Sequence, residues 1–130
     1  MSRRSARKGA FVLLFQMEFA DSSEREQIKS VFFSENPEIT EDEKSFIIKE
    51  VDGANFHIEE IDELIKSRAI GWDISRMSKI DLAILRLAVY EMKFSEDITI
   101  SVAINEAVEL AKKYSSDEAP AFINGILGKV

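Results

Sequence analysis

A chain of 130 residues with 45% hydrophobic and 32% charged side chains has the size and composition of one soluble globular domain. Zero cysteines exclude disulfides, thiolate metal sites and cysteine nucleophiles. No apolar run approaches the ~18 residues of a membrane span, and Phe11–Phe15 is too short for a secretory signal, so a cytoplasmic protein that does not enter membranes is expected. The net charge of −7 is uneven: residues 1–17 hold Arg3, Arg4, Arg7 and Lys8 and no acid, while the rest of the chain carries a net −11. That balance argues against wrapping nucleic acid over a broad surface and leaves room for one local anion-binding patch.

The first helix should run from about Ser5 to Phe19, with Ala10, Leu14 and Met17 as its core stripe. Phe11 to Phe15 are five apolar residues in a row and so cover every face. Either the helix is buried on all sides or part of it docks another chain. Asp21-Ser22-Ser23 is a cap cluster opening a short amphipathic helix with Ile28, Val31 and Phe32. Asn36-Pro37 ends it, because the residue before proline is pushed out of the helical region. Thr40 and Glu43 form a capping box, and Phe46, Ile47, Val51, Ala54, Ile58, Ile61 and Ile65 keep helical spacing to about Ser67. Gly53 either kinks this run or admits another helix. Gly71-Trp72-Asp73 marks the join between halves, with Trp72 expected as its packing anchor rather than a ligand platform.

Ser78 and Asp81 cap the next helix, from Lys79 to about Phe94, which is apolar nearly all round and therefore expected at the centre of the fold. Its Asp81, Arg86 and Glu91 should pair with neighbouring helices, unless one of them faces a protein partner. A helix from about Ser101 to Tyr114 follows, with Ala103, Ala107, Leu110, Ala111 and Tyr114 inward. If Asp117 caps the last helix, Pro120 falls at its third position, where a missing N–H costs nothing. Phe122, Ile123, Ile126 and Leu127 place Asn124-Gly125 within a helix, and Gly125 should mark a close crossing. The expected architecture is all-α, about seven helices in one domain over 1–130. Two small bundles, about 1–70 and 72–130, should share the central helix.

Catalytic signatures are missing. His57 is the lone histidine and reads as a surface residue. Asn105, Glu106 and Glu109 could be imagined as a carboxylate site, but Glu106 or Glu109 should instead pair with Arg86 or a lysine. No phosphate loop, nucleophile elbow or zinc spacing occurs, so we expect no enzyme, no metal and no cofactor. The N-terminal cations are different. Arg3/Arg7 and Arg4/Lys8 are i,i+4 like-charge pairs at the positive end of a helix dipole. Their removal should leave stability unchanged or raised. Either they form a frayed, solvated tail, or an anion held at this helix end reverses the sign of both effects.

Four stretches carry a resemblance. VAINEAVELAK at Val102–Lys112 is followed by FINGIL at Phe122–Leu127, with ILRLAVYEM at Ile84–Met92 and RRSAR plus Leu14-Phe15 near the start. Together they resemble the NusB family of bacterial transcription antitermination factors over nearly the whole chain. The resemblance implies a fold of two three-helix bundles. It also implies binding to the boxA element of ribosomal RNA leader transcripts, a single-stranded RNA, together with the ribosomal protein NusE, in a complex that carries RNA polymerase through terminators. Arg3, Arg4, Arg7 and Lys8 would be the family's basic N-terminus, Glu118 to Phe122 would match RNA-contacting positions, and Phe15 and Asp81 would face NusE. The family's usual glutamine and tyrosine in the first helix are Val12 and Phe15 here. A commonly basic position is Ala121, which leaves more of the RNA affinity to the N-terminal cluster. A helical protein-binding adaptor without RNA affinity is the competing class, and monomer and homodimer stay equally open.

Overall fold

Local caps set most helix boundaries. The computed structural model describes residues 3–130, and among them seven α-helices follow one another without a strand: α1 (Arg3–Met17), α2 (Arg25–Glu35), α3 (Glu41–Phe56), α4 (Ile58–Arg68), α5 (Lys79–Phe94), α6 (Ile100–Tyr114) and α7 (Ala119–Leu127). Short 3-10 turns lie at Ser22–Glu24 and Ile74–Arg76. Thr40 Oγ1 accepts from the Glu43 N–H at 3.2 Å while the Glu43 carboxylate accepts from the Thr40 N–H at 3.0 Å, the reciprocal box expected before α3. Ser78 accepts from the Asp81 N–H at 3.0 Å to open α5, and Thr99 from the Val102 N–H at 3.3 Å to open α6.

The central position of α5 follows from its composition. Ten of its sixteen residues are buried, and α1, α3, α4, α6 and α7 all pack against it. The first three come from one half of the chain and the last two from the other, so the two small bundles share this helix. On α6, Ala103, Ala107 and Ala111 recur every four residues on the buried face, which lets its backbone lie close to its neighbours. The apolar run of α1 is mostly internal: Phe11, Leu13 and Leu14 are buried, while Val12 and Phe15 are half-buried.

Five details differ from the sequence expectation. The long run after Thr40 is two helices, broken at His57 (φ −100°, ψ 19°), which caps both α3 and α4. The His57 ring stacks on Phe94 with centroids 3.8 Å apart and only 7° between planes, so it is half-buried at a corner and not a free surface group. Gly53 sits four residues earlier and serves the other role considered for it, close approach. A Cβ there would fall 2.3 Å from Cε1 of Tyr90. Gly125 marks no crossing, since nothing lies within 4 Å of where its Cβ would be. The cap of α7 is Glu118, one residue later than Asp117, and Pro120 enters at the second helical position, where its N–H is equally dispensable. Trp72 anchors little, for it is 56% exposed.

Leu87 is 1% exposed at the middle of α5. Leu87→Ala should cost about 2–5 kcal/mol in urea denaturation. Gly53→Ala should cost about 1–3 kcal/mol by overpacking against Tyr90, although helix propensity alone favours alanine by about 1 kcal/mol. A stabilised Gly53→Ala protein would show that the Tyr90 ring moves freely.

Candidate nucleic-acid interface

Residues four apart share a helix face, and on α1 this divides the four cations among three places. Arg3 turns toward α3, where its guanidinium lies 4.6 Å from the Phe46 ring centroid and 3.6 Å from Asp42. Arg7 goes inside. It is 5% exposed, and its Nε donates to Glu91 Oε2 at 2.9 Å and Oε1 at 3.1 Å, with Nη1 3.5 Å from Glu106 Oε1. Arg4 and Lys8 remain on an outer face beside α6. Arg4 grips Glu106 with both arms of its fork, Nε to Oε1 at 3.1 Å and Nη2 to Oε2 at 2.7 Å. The hydrogen bond from Arg4 holds the Glu106 carboxyl below its ordinary pKa. The end of α1 is therefore not a frayed, self-repelling tail, because acids on α3, α5 and α6 answer its charges.

A third carboxyl completes the interior cluster. Glu50 on α3 is 1% exposed, as is Glu91. Burial, and then its hydrogen bond and repulsion with Glu91, push the Glu50 carboxyl up to about 10. Glu50 is accordingly neutral at pH 7, and Arg7 pairs with Glu91. Oε1 of Glu50 has no hydrogen-bond partner within the protein.

Between α1 and α6 runs a groove of about 530 Å³ lined by Arg4, Lys8, Leu110, Lys112, Lys113 and Tyr114, among others. Five cations here, one of them the buried Arg7, face two carboxylates, Glu106 and Glu109, the reverse of the balance over the rest of the chain. The Tyr114 ring packs on Phe11 at 5.6 Å, with Lys8 Nζ 5.9 Å and Lys113 Nζ 5.5 Å from its centroid. Lys112 pairs with Glu109 at 3.1 Å. Sequence reasoning did not single out Lys112 and Lys113, which sit where cations suit a helix C-terminus anyway. The available signal was two adjacent lysines before an inward-facing tyrosine in an acidic chain.

The remaining site positions lie elsewhere. Glu118 and Phe122 line a second cavity, about 360 Å³, together with Trp72, Arg76, Met77, Asp81, Ser116 and Ala119. Asp81 is only 9% exposed and accepts a hydrogen bond from Ser115 Oγ, so much of its carboxylate serves to hold the turn after α6. Phe15 is half-buried and meets Phe19 edge-on at 5.1 Å, and Phe19 is 66% exposed. Glu18 ties this end of α1 to α5 through Lys79 at 3.2 Å and Arg86 at 2.5 Å, and Arg86 also binds Asp62 twice at 2.9 Å. Arg86 and Glu91 thus pair with neighbouring helices as expected, whereas Asp81 bonds a serine, and Glu106 finds arginines from α1 in place of Arg86. No group of three or more His, Cys, Asp or Glu side chains converges on a metal position among the described residues.

Comparison with known proteins matches residues 4–130 to the NusB family. A transcription antitermination protein NusB of Acetivibrio thermocellus is 49% identical over 130 residues, covering 100% of this chain and 88% of that one. Its counterpart in Agathobacter rectalis is 46% identical, covering 99% and 98%. Among solved structures, T. maritima NusB superposes with a TM-score of 0.88 at 36% identity, covering 99% of this chain and 89% of that one. A crystal structure of the antitermination factors NusB and NusE in complex with double-stranded RNA superposes with a TM-score of 0.86 at 29% identity, covering 98% and 93%.

The sign of the Glu50 effect gives a prediction. A carboxyl whose folded pKa lies above its unfolded value stabilises fully below the unfolded value, 4.5, and loses that contribution as pH rises toward about 10. Compared with Glu50→Gln, the native chain should lose stability between pH 5 and 9, with a slope approaching about 1.4 kcal/mol per pH unit. Parallel stability profiles would mean that Glu50 is ionised inside the protein.

Proposed function

This chain belongs to the NusB family, and from that premise we propose that it is a transcription antitermination factor, a non-enzymatic RNA-binding protein that works with a NusE-type ribosomal protein. In its full form the reading is that the chain binds boxA RNA of ribosomal RNA leader transcripts in the cytoplasm. Bound there with its partner, it helps RNA polymerase pass terminators.

The observation that carries the RNA reading is the basic groove between α1 and α6. Its four cations besides the buried Arg7 are the local exception on a body of net charge −11 beyond residue 17. The Arg4 side chain is 65% exposed even while it holds Glu106, so N–H donors remain for a phosphate. Lys8, Lys112 and Lys113 line the same groove. Arg3 lies to the side of α3 and contributes only to the longer-range field. Arg7 takes a positioning role, because a guanidinium enclosed by Glu91 and Glu106 has no face left for RNA. The partner surface is sought at the far end of α1, where Phe15 and exposed Phe19 lie beside the start of α5.

If Arg4, Lys8, Lys112 and Lys113 each neutralise one phosphate of a single strand, the log–log salt slope is roughly −3. Binding then weakens about fiftyfold between 50 and 200 mM salt. Repulsion from the acidic body adds to that loss. Four charges alone hold RNA poorly at physiological salt, and a second RNA-contacting protein docked on this one supplies what is lacking.

Lys8→Ala and Lys113→Ala should each flatten the salt slope by about 0.7 and leave stability nearly unchanged. Arg7→Ala should instead cost about 3–5 kcal/mol, because it leaves Glu91 buried without a counter-ion. Titrations at 150 mM salt should show RNA and NusE each tightening the other's binding by the same factor, at least about tenfold. RNA affinity unchanged at saturating NusE would defeat the cooperative reading. No RNA binding at low salt, with or without NusE, would leave a protein-binding adaptor.

A further inference from the structure

We propose that Glu50 is a positioning residue for the basic groove: its carboxyl proton, given to Glu91, keeps Arg7 divided between Glu91 and Glu106 and so leaves Arg4 able to meet a phosphate. This deepens the RNA-binding reading and rests on it. Glu50 lies on α3, outside the groove, whose lining comes from α1 and α6. Its influence reaches the groove through a chain of side chains, from Glu91 to Arg7 to Glu106 to Arg4.

The proton follows from the charges enclosed there. Glu50, Glu91 and Arg7 are all buried. Arg7 lies 2.9 Å from Glu91 and Arg4 2.7 Å from Glu106, so each of these carboxylates has its guanidinium. A third anion would stand buried without a counter-ion, which desolvation opposes. Glu50 therefore keeps its proton, in line with a carboxyl pushed up by burial and by Glu91. A neutral carboxyl beside a carboxylate donates to it, and a hydrogen bond to an ionised acceptor is a strong one. The remaining oxygen, Oε1, has no partner within the protein, so what the buried carboxyl supplies is its bond to Glu91.

Arg7 meets Glu91 through Nε, whose N–H is shared by both carboxylate oxygens at 2.9 and 3.1 Å, and it directs Nη1 to Glu106 Oε1 at 3.5 Å. A carboxylate free to turn takes a guanidinium on two nitrogens at once. The bond from Glu50 holds Glu91 back from that arrangement and spares Nη1 for Glu106. Glu106 Oε1 also accepts from Arg4 Nε at 3.1 Å, so two arginines divide its charge. With Nη1 drawn away to Glu91, the whole charge of Glu106 falls to Arg4, whose Nη2 already lies 2.7 Å from Oε2. An arginine closed on its own carboxylate is lost to a phosphate, while Lys8 and Lys113 keep their places beside Tyr114.

The test compares full-length Glu50→Met, which has the length of glutamate but no donor, with Glu50→Gln, which keeps an N–H for Glu91. Urea denaturation first establishes that each variant folds, and Glu50→Leu takes the place of Glu50→Met if that one does not. Affinity for a short labelled single-stranded boxA RNA is then read by anisotropy between about 50 and 200 mM salt, the range over which phosphate contacts show their slope. Glu50→Met should weaken binding about fourfold at 150 mM salt and flatten the log–log slope by about 0.7, the counterion share of one phosphate, although the residue it replaces is uncharged. Glu50→Gln should recover both affinity and slope. Arg4→Ala should show the same losses, and combining it with Glu50→Met should add nothing, since the two act on one contact. A folded Glu50→Met protein with native affinity and slope overturns the positioning role and leaves the RNA reading intact. So does a loss that Glu50→Gln fails to recover, which assigns Glu50 to packing, or a loss that adds to that of Arg4→Ala. Absence of any RNA binding by the native chain overturns both readings together.

Discussion

The guanidinium of Arg7, enclosed by Glu91 of α5 and Glu106 of α6, ties the first helix to both halves of the chain. Burying an ion costs several kcal/mol unless a partner and hydrogen bonds answer it, and here the charges close. Arg7 and Arg4 face Glu91 and Glu106, while Glu50 stays neutral beside them. Apolar packing would tolerate a rotated or shifted α1, for it is not directional. The two-pronged contact of Arg4 with Glu106 admits one geometry. That geometry turns Lys8 and Arg4 toward α6, sends Arg3 toward α3, and so decides that a basic groove exists and where it lies.

Much of the fold was legible because its strongest signals are local or periodic. The capping residues Thr40, Ser78 and Asp81 and the all-round apolar pattern of α5 announce their roles without reference to the rest of the chain. The break at His57 does not. The apolar spacing continues across it into Ile61 and Ile65, and a single residue leaving helical torsions disturbs no pattern. What holds that corner is a stack on Phe94, a contact between residues 37 apart that periodicity cannot convey. Gly53 and Gly125 show the same limit, because both interrupt apolar helices and only the neighbours reveal that one is crowded by a tyrosine and the other faces open space.

The site was legible as composition and not as arrangement. Four cations near one terminus are plain in the sequence, but their i,i+4 pairing by itself spells repulsion. The answering acids sit about 40 to 100 positions away, at Asp42, Glu91 and Glu106, and three-dimensional proximity alone turns the sign of the interaction. Lys112 and Lys113 escaped notice because a helix C-terminus explains them cheaply. Trp72 was misjudged for a related reason: a large aromatic beside glycine suggests an anchor, whereas the positive φ of Gly71 carries it outward.

Glu106 has a consequence of its own. Its carboxylate already occupies the fork of Arg4, so any anion approaching that arginine must displace or share an incumbent. A lone chloride or a single carboxylate gains nothing by the exchange. A polyanion can yield at Arg4 and still hold at Lys8 and Lys113, and its many contacts outlast one failed substitution. On the RNA reading proposed above, Glu106 makes the groove a filter for valence, passing over small anions in favour of a chain of phosphates.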